Sequence, residues 1–361
     1  MRDSTNQLDG SGSHYLNPHI LLGKYFLEVV LVEKNQAAAI LVVLLVVSSI
    51  GLIVVLNPPP TPDVRIGYLS KDLHQLALKV AIENGYFDRE GITYELLQYG
   101  NGGQEMTGFQ SGQIDMGYLG AAPAVLKRLN DEIMVTILAA ANMEGSAIMV
   151  DKTEYELGHV TTIADLAGKG VYHPGPPTVQ NFLLRLALNQ SGLSYSDINP
   201  LSVVPSSMAD SLSPENPAFI AWEPFNALSE YQNKTVPLIL SGDIWPGHPC
   251  CVLAAENTFL SQNPEIVQKV VQIHQEATDW IVTHPTEAIA IAVDWLEMDE
   301  TPVTTAFNRI IFDYRVNVTG IEMYLDFLIS EGQIDNIPPS IPDFLDGFIN
   351  QTYIEDTLLC C

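Results

Sequence analysis

The residues that could do chemistry in this 361-residue chain sit in short turns between alternating apolar segments. Tyr118-Leu119-Gly120-Ala121-Ala122-Pro123 carries the end of an expected strand into an expected helix. Its small residues let a ligand approach the backbone, and Pro123 suits a helix's first turn. His173-Pro174-Gly175-Pro176-Pro177-Thr178-Val179-Gln180 has the same form. Prolines fix the entry there, and Thr178, Val179 and Gln180 supply the first free N–H donors. Gly100-Asn101-Gly102-Gly103-Gln104 also opens a helix, without the Gly-Lys-Ser/Thr ending of a phosphate loop. Ser70, Lys71, Asp72 and His74 follow the first expected strand. Free N–H groups and the positive end of a helix dipole at such places favour an anion. Each segment also has a plainer reading as an ordinary turn.

Trp222 and Glu223 follow a short apolar run. The indole could wall a cleft, and Glu223 could accept from a ligand amine or fix a hinge. The alternative is a buried Trp beside a structural acceptor. Asp115 reads as structural, since no catalytic partner is visible. His248-Pro249-Cys250-Cys251 offers soft metal ligands, but its spacing matches no known zinc pattern, so buried thiols along a strand are expected and no metal or cofactor is assigned. The chain contains no Gly-x-Ser-x-Gly, His-Glu-x-x-His or Walker sequence.

The elements that must position these residues alternate. Val64–Leu69, Ile92–Tyr99, Ile114–Leu119, Ile133–Ala140, Lys169–His173 and Ala218–Ala221 read as strands. Helical spacing of apolar residues follows Leu73 and continues over Ala122–Leu129 and Thr178–Asn189. Pro264–Thr283 and Thr286–Leu296 read as helices parted by Pro285, and the tail from Val303 as mostly helical. Strand–helix–strand units predict right-handed parallel connections and an α/β protein with open sheets.

Composition narrows the function. Sixteen Lys and Arg against 43 Asp and Glu leave a net charge of −27, which excludes a generic nucleic-acid binder. Residues 37–56 are uncharged and almost wholly apolar, and about 30 Å of helix would span a hydrocarbon core. With Arg2, Lys24 and Lys34 before the run and Arg65 the first basic residue after it, the expected arrangement is a cytoplasmic leader (1–36) and an uncleaved transmembrane helix (37–56). A Pro-rich linker (57–63) then leads to an extracytoplasmic part carrying −26.

Taken in order, Arg65-Ile-Gly-Tyr, Gly85-Tyr-Phe-Asp-Arg-Glu-Gly-Ile, Gly112-Gln-Ile-Asp-Met-Gly-Tyr-Leu-Gly-Ala-Ala-Pro-Ala and Ala221-Trp-Glu-Pro-Phe resemble the nitrate/sulfonate/taurine (bicarbonate) branch of ABC-importer substrate-binding proteins. The likeness runs from about Val64 to the C-terminus, and Trp245-Pro-Gly-His-Pro-Cys-Cys looks archaeal in type. The resemblance implies a type II periplasmic-binding fold. Its lobe one would be 63–149 plus 248–361 and its lobe two 150–247, with crossings near Val150 and Trp245. It also implies a non-enzymatic receptor that passes a small anionic or zwitterionic solute to an ABC permease with cytosolic ATPase subunits. The candidate ligand-binding residues are Ser70, Lys71, His74, Gly102, Gly103, Gln104, Tyr118, Gly120, Ala121, Ala122, Gly175, Thr178, Val179, Gln180, Trp222 and Glu223. An enzyme related to thiamine-pyrimidine synthase, or a sensory ectodomain, is the alternative. Ser211–Pro217 departs from the family's pattern, so no contact carries over there.

Overall fold

A computed structural model of the chain describes residues 61–354. The apolar run at 37–56, the leader before it and Cys360–Cys361 lie outside these residues. No helix among the described residues is long and apolar enough to cross a membrane.

In chain order the strands are β1 (Val64–Leu69), β2 (Tyr94–Tyr99), β3 (Met116–Gly120), β4 (Val135–Ala140), β5 (Met143–Glu144) and β6 (Ser146–Asp151). They continue as β7 (Gly170–His173), β8 (Asn199–Ser202), β9 (Ala218–Trp222), β10 (Thr235–Leu240), β11 (Cys251–Glu256) and β12 (Ile310–Ile311). The helices that matter here are α1 (Leu76–Glu83), α2 (Gly102–Gln110), α3 (Ala121–Asn130), α4 (Val179–Gln190), α5 (Phe225–Tyr231), α6 (Pro264–Thr283), α7 (Pro285–Leu296), α8 (Glu300–Phe307) and α9 (Val318–Ser330).

Two five-stranded sheets form, in the orders β2-β1-β3-β11-β4 and β10-β6-β9-β7-β8. Each is a parallel trio joined by one reversed strand. β1 runs parallel to β2 and β3, while β11 runs antiparallel to β3 and β4. In the second sheet β7 runs parallel to β8 and β9, while β6 runs antiparallel to β9 and β10. The two reversed strands are the first ones laid down after each passage between lobes. The expectation of parallel units alone missed them, because no helix lies between β4 and β6 and only the four-residue helix Ser241–Ile244 precedes β11. Their sequences, Ser-Ala-Ile-Met-Val-Asp and Cys-Val-Leu-Ala-Ala-Glu, are near-continuous apolar runs buried on both faces.

The first passage is earlier than expected. Val150 lies inside β6 and pairs with Ala218, so the chain crosses at 142–145 rather than near Val150. The return falls between β10 and β11, a stretch that contains Trp245. The tail also touches both lobes. Helix α8 packs on α5, and β12 pairs with β5 in the crossing itself.

Helix α6 shows how sequence fixes a packing face. Val267, Val270, Val271, His274, Ala277, Thr278 and Ile281 recur at three- and four-residue steps and are all buried. This stripe packs on α1, and Pro264 and Pro285 occupy the first positions of α6 and α7, where a missing N–H costs nothing. His274 survives inside the stripe because both ring nitrogens are satisfied. Tyr118 O–H lies 3.2 Å from Nδ1, and Nε2–H donates to the Ala140 carbonyl at 2.7 Å. Burial holds this imidazole neutral and lowers its pKa to about 4.

Candidate functional site

β1, β3, β9 and β11 end or begin where the two sheets face each other. Their loops enclose a cavity of about 20 Å³ between the lobes, room for roughly one water. Lobe one supplies Leu69, Asp72, His74, Gly102, Gly120, Pro123, Cys250 and Cys251; lobe two supplies Thr178, Val179, Gln180 and Trp222. Among the described residues no Lys or Arg lines it. A larger groove of about 370 Å³ runs beside α6, but it is an open surface feature of one lobe, and its Arg89 is ion-paired to Glu276. The interlobe cavity is the one lined by the strand ends and helix starts of both sheets.

Two helix starts meet across it. Helix α4 begins with Thr178 as its N-cap, whose Oγ1 accepts from Asn181 N at 3.2 Å and donates to the Gly175 carbonyl at 2.7 Å. The first-turn N–H groups of Val179 and Gln180 are left as orphan donors at its positive end. Helix α3 begins opposite, at Gly120, with no side-chain cap. Its Ala121 N–H donates to the Cys250 carbonyl at 2.8 Å. Glycine leaves this approach uncrowded. A Cβ on Gly120 would stand 3.1 Å from Val179 Cγ2, and one on Gly103 would stand 3.0 Å from Pro177 Cγ. The lobes are thus closed on each other through backbone.

Trp222 Nε1 is buried and has no hydrogen-bond partner. An indole N–H left this way costs about 1–3 kcal/mol until something accepts from it. Glu223 follows, fully buried. Its Oε2 accepts from Ala227 N at 3.0 Å, and its Oε1 accepts from Arg309 Nη1 at 3.1 Å. Arg309 Nη2 also reaches Glu230 at 2.5 Å. Burial raises the Glu223 pKa, and Arg309 offsets part of that rise.

The other wall is built from titratable groups. Asp72 caps the turn after β1 by accepting from His74 N at 3.0 Å, which fixes the His74 backbone. His74 is buried, and its Nε2–H donates to the Gly145 carbonyl at 2.8 Å. Gly145 has φ +82°, and a Cβ there would lie 2.2 Å from that same nitrogen, so only glycine fits. His74 Nδ1 turns toward Cys250 Sγ at 3.5 Å, Cys251 Sγ at 3.9 Å and Asp72 Oδ1 at 3.3 Å. Cys250 stands just ahead of β11, where the strand's alternation of faces is not yet imposed, so both sulfurs reach one imidazole.

Burial alone would lower the His74 pKa, but Cys250 and Asp72 outweigh it and raise it to about 9. Burial raises Asp72 to about 6 against the pull of His74. The hydrogen bond between the two thiols lowers Cys250 and raises Cys251. Glu105 lies beneath the wall, its carboxyl oxygens unpartnered, and burial pushes its pKa well up.

Of the residues expected from sequence, the cavity brings together His74, Gly102, Gly120, Thr178, Val179, Gln180 and Trp222. The others fall elsewhere. Lys71 is exposed, with φ +49°. Ser70 accepts from Gln98 on the next strand at 2.5 Å, and Gln104 bonds back to Gly100 N at 3.1 Å. Tyr118 faces the core toward His274, because β3 is buried on both sides. Ala121 and Ala122 pack in the core, and Gly175 serves the Thr178 cap. Gly103 lies against Pro177, and Glu223 is held by Arg309. Asp115 binds Arg65 on the adjacent strand, with Nη2 to Oδ1 at 2.5 Å. Cys250 and Cys251 were visible as a pair, but nothing in the sequence joined them to a histidine 176 residues away. His248, read beside them as a fellow ligand, points its Nδ1 to Pro249 O and Tyr324 instead.

Comparison with known proteins agrees with this architecture. A binding protein of Brucella abortus is 25% identical over 245 residues, covering 67% of this chain and 74% of the relative. The nitrate-binding protein of a Synechocystis strain superposes with a TM-score of 0.71 at 17% identity, over 80% of this chain and 86% of that one. The ligand-binding component of an ABC-type import system from Staphylococcus aureus, solved with zinc bound, gives 0.69 at 19% identity, over 80% and 97%. These matches are bacterial and lend nothing to an archaeal origin. Residues 57–297 match the NMT1-like family. The match takes in both sheets and every residue of the cavity wall, and this chain belongs to the NMT1-like family.

Proposed function

We propose that the chain is the solute-binding component of an ABC importer. It captures a small anionic or zwitterionic solute of the nitrate, sulfonate, taurine or bicarbonate class and does not transform it. One observation carries the reading. The starts of α3 and α4, from opposite lobes, converge with the unpartnered Trp222 N–H on one cavity. The free N–H groups of Val179, Gln180 and Trp222, all from lobe two, therefore aim across the cavity at a place where an acceptor-rich ligand would sit. The relatives' roles as binding proteins support it.

The closed cavity holds about a water, so entry needs the lobes to part at 142–145 and 241–250. The apolar run at 37–56 would anchor the lobes outside the membrane, and 57–63 would space them from it. A permease with cytosolic ATPase subunits would take the solute onward. Protease protection in intact cells tests the placement: if the lobes are shielded and the first 36 residues cut, the topology is reversed.

The ligand reading is tested on the full chain in detergent. Nitrate, taurine, alkanesulfonates, bicarbonate and pyrimidines are screened by melting temperature and tryptophan fluorescence. A true ligand at about 100 times its Kd should add about 2.7 kcal/mol of stability. If every compound leaves both signals unmoved, the small-solute reading fails.

A further inference from the structure

We propose that His74, Cys250 and Cys251 form a binding site for one thiophilic d¹⁰ cation of the Zn²⁺ or Cu⁺ class. Their ligand atoms all lie within 4.8 Å of one another, and all three residues are buried. Zn–S and Zn–N bonds of about 2.3 and 2.0 Å at a tetrahedral angle put N and S roughly 3.6 Å apart. The two Nδ1–Sγ separations are 3.5 and 3.9 Å. A cation therefore fits among these atoms with side-chain movements of tenths of an ångström.

The tautomer is set for it. The Gly145 carbonyl holds the Nε2 proton, so the nitrogen that faces the sulfurs and would yield its proton to a cation is Nδ1. A second hydrogen bond of this kind orients metal-binding histidines generally. Two thiolates select a soft ion over Mg²⁺ or Ca²⁺, and binding releases to solvent whatever protons Nδ1 and the two sulfurs still hold.

Charge points the same way. Asp72 Oδ1 lies 3.3 Å from Nδ1, and the cavity lining contains no Lys or Arg. A cation would balance a wall that otherwise gathers only acids around one imidazole. His74 follows β1 and the cysteines begin β11, so all three ligands belong to lobe one. The site is complete without lobe closure, and it stands or falls apart from the transport reading. All three residues line the cavity, so the fourth coordination position faces it.

The test uses the full chain, purified in reductant and stripped with a chelator. Zn²⁺ is titrated against a chromophoric indicator, and Co²⁺ is followed by absorption. One equivalent should bind, with thiolate-to-cobalt charge transfer and the visible bands of a tetrahedral ion. Cys250→Ser and Cys251→Ser should each weaken Zn²⁺ by roughly 100-fold or more and cut the charge-transfer band to about half, and the double variant should erase it. Cys360→Ser/Cys361→Ser should change neither. Circular dichroism melting checks each variant, and Cys250→Ala or Cys251→Ala replaces any serine variant that does not fold. The proposal is overturned if reduced protein binds no Zn²⁺, if binding survives loss of Cys250 and Cys251, or if it vanishes with Cys360 and Cys361.

Discussion

The two walls of the cavity differ in kind. Lobe one contributes Asp72, His74, Cys250 and Cys251, all buried and able to gain or lose a proton. Lobe two contributes Thr178, Val179, Gln180 and Trp222, which are neutral and offer donors. The difference follows from how each wall is reached. The lobe-one wall joins a turn after the first strand to the start of a strand laid down after the return passage, so distant charges are brought together. The lobe-two wall is a capped helix start and a strand end, so it offers dipoles. One wall is where charge is held, and the other is a cap that can swing away without leaving an ion bare.

The comparison would break hardest at the hinge. Glu223 is the one carboxyl adjoining the lobe-two wall, and Arg309 from the tail is its ionic partner. Arg309→Met should cost roughly 4 kcal/mol in urea unfolding, because it leaves a buried carboxylate unpaired. A loss under about 1 kcal/mol would mean that Glu223 is already neutral.

A smaller effect lies behind the lobe-one wall. His274 is neutral when folded with a pKa near 4, while its unfolded value is 6.5. The unfolded chain therefore takes up a proton that the fold refuses. The His274 share of stability is whole above pH 6.5 and falls as the pH drops toward 4, by roughly 3 kcal/mol. Urea midpoints against pH, compared with those of His274→Gln, isolate it. If the two profiles run parallel, His274 titrates normally and the wall's backing is less dry than its burial indicates.

The smallest change sharpens the lobe-two side. Trp222→Phe removes only the unpartnered donor and keeps most of the ring. The ligand-free protein should be unchanged or up to about 1 kcal/mol more stable, while affinity for the solute falls about tenfold. Unchanged affinity, measured by calorimetry with the ligand found in the screen, would remove Trp222 from the donors.

Much of the scaffold was legible beforehand. β1 and α6 fall at the residues read for them, because VRIGYL is a bounded β-rich run and α6 carries a full buried stripe behind Pro264. The turn before α4 was legible too, since prolines and Thr178 signal a capped start locally. β6, β10 and β11 were not. The reversed strands β6 and β11 carry no periodic mark inside a mostly parallel sheet, β10 pairs only with the reversed β6, and their partners lie far along the chain. The Tyr118 reading erred for a related reason. Strand position alone does not say which face of a doubly buried strand meets the cleft.

By itself, then, the sequence determined the alternating α/β elements, the capped and glycine-opened helix starts, and the acidic, metal-motif-free composition that points away from nucleic acid. These are set by contacts within a few residues. Only the tertiary structure decided that His74 meets Cys250 and Cys251 across 176 residues, that Trp222 is left without an acceptor, and that Arg309 secures Glu223. Those facts depend on which strand lies beside which, and the pairing is chosen by burial summed over the whole sheet, which no short stretch of residues encodes.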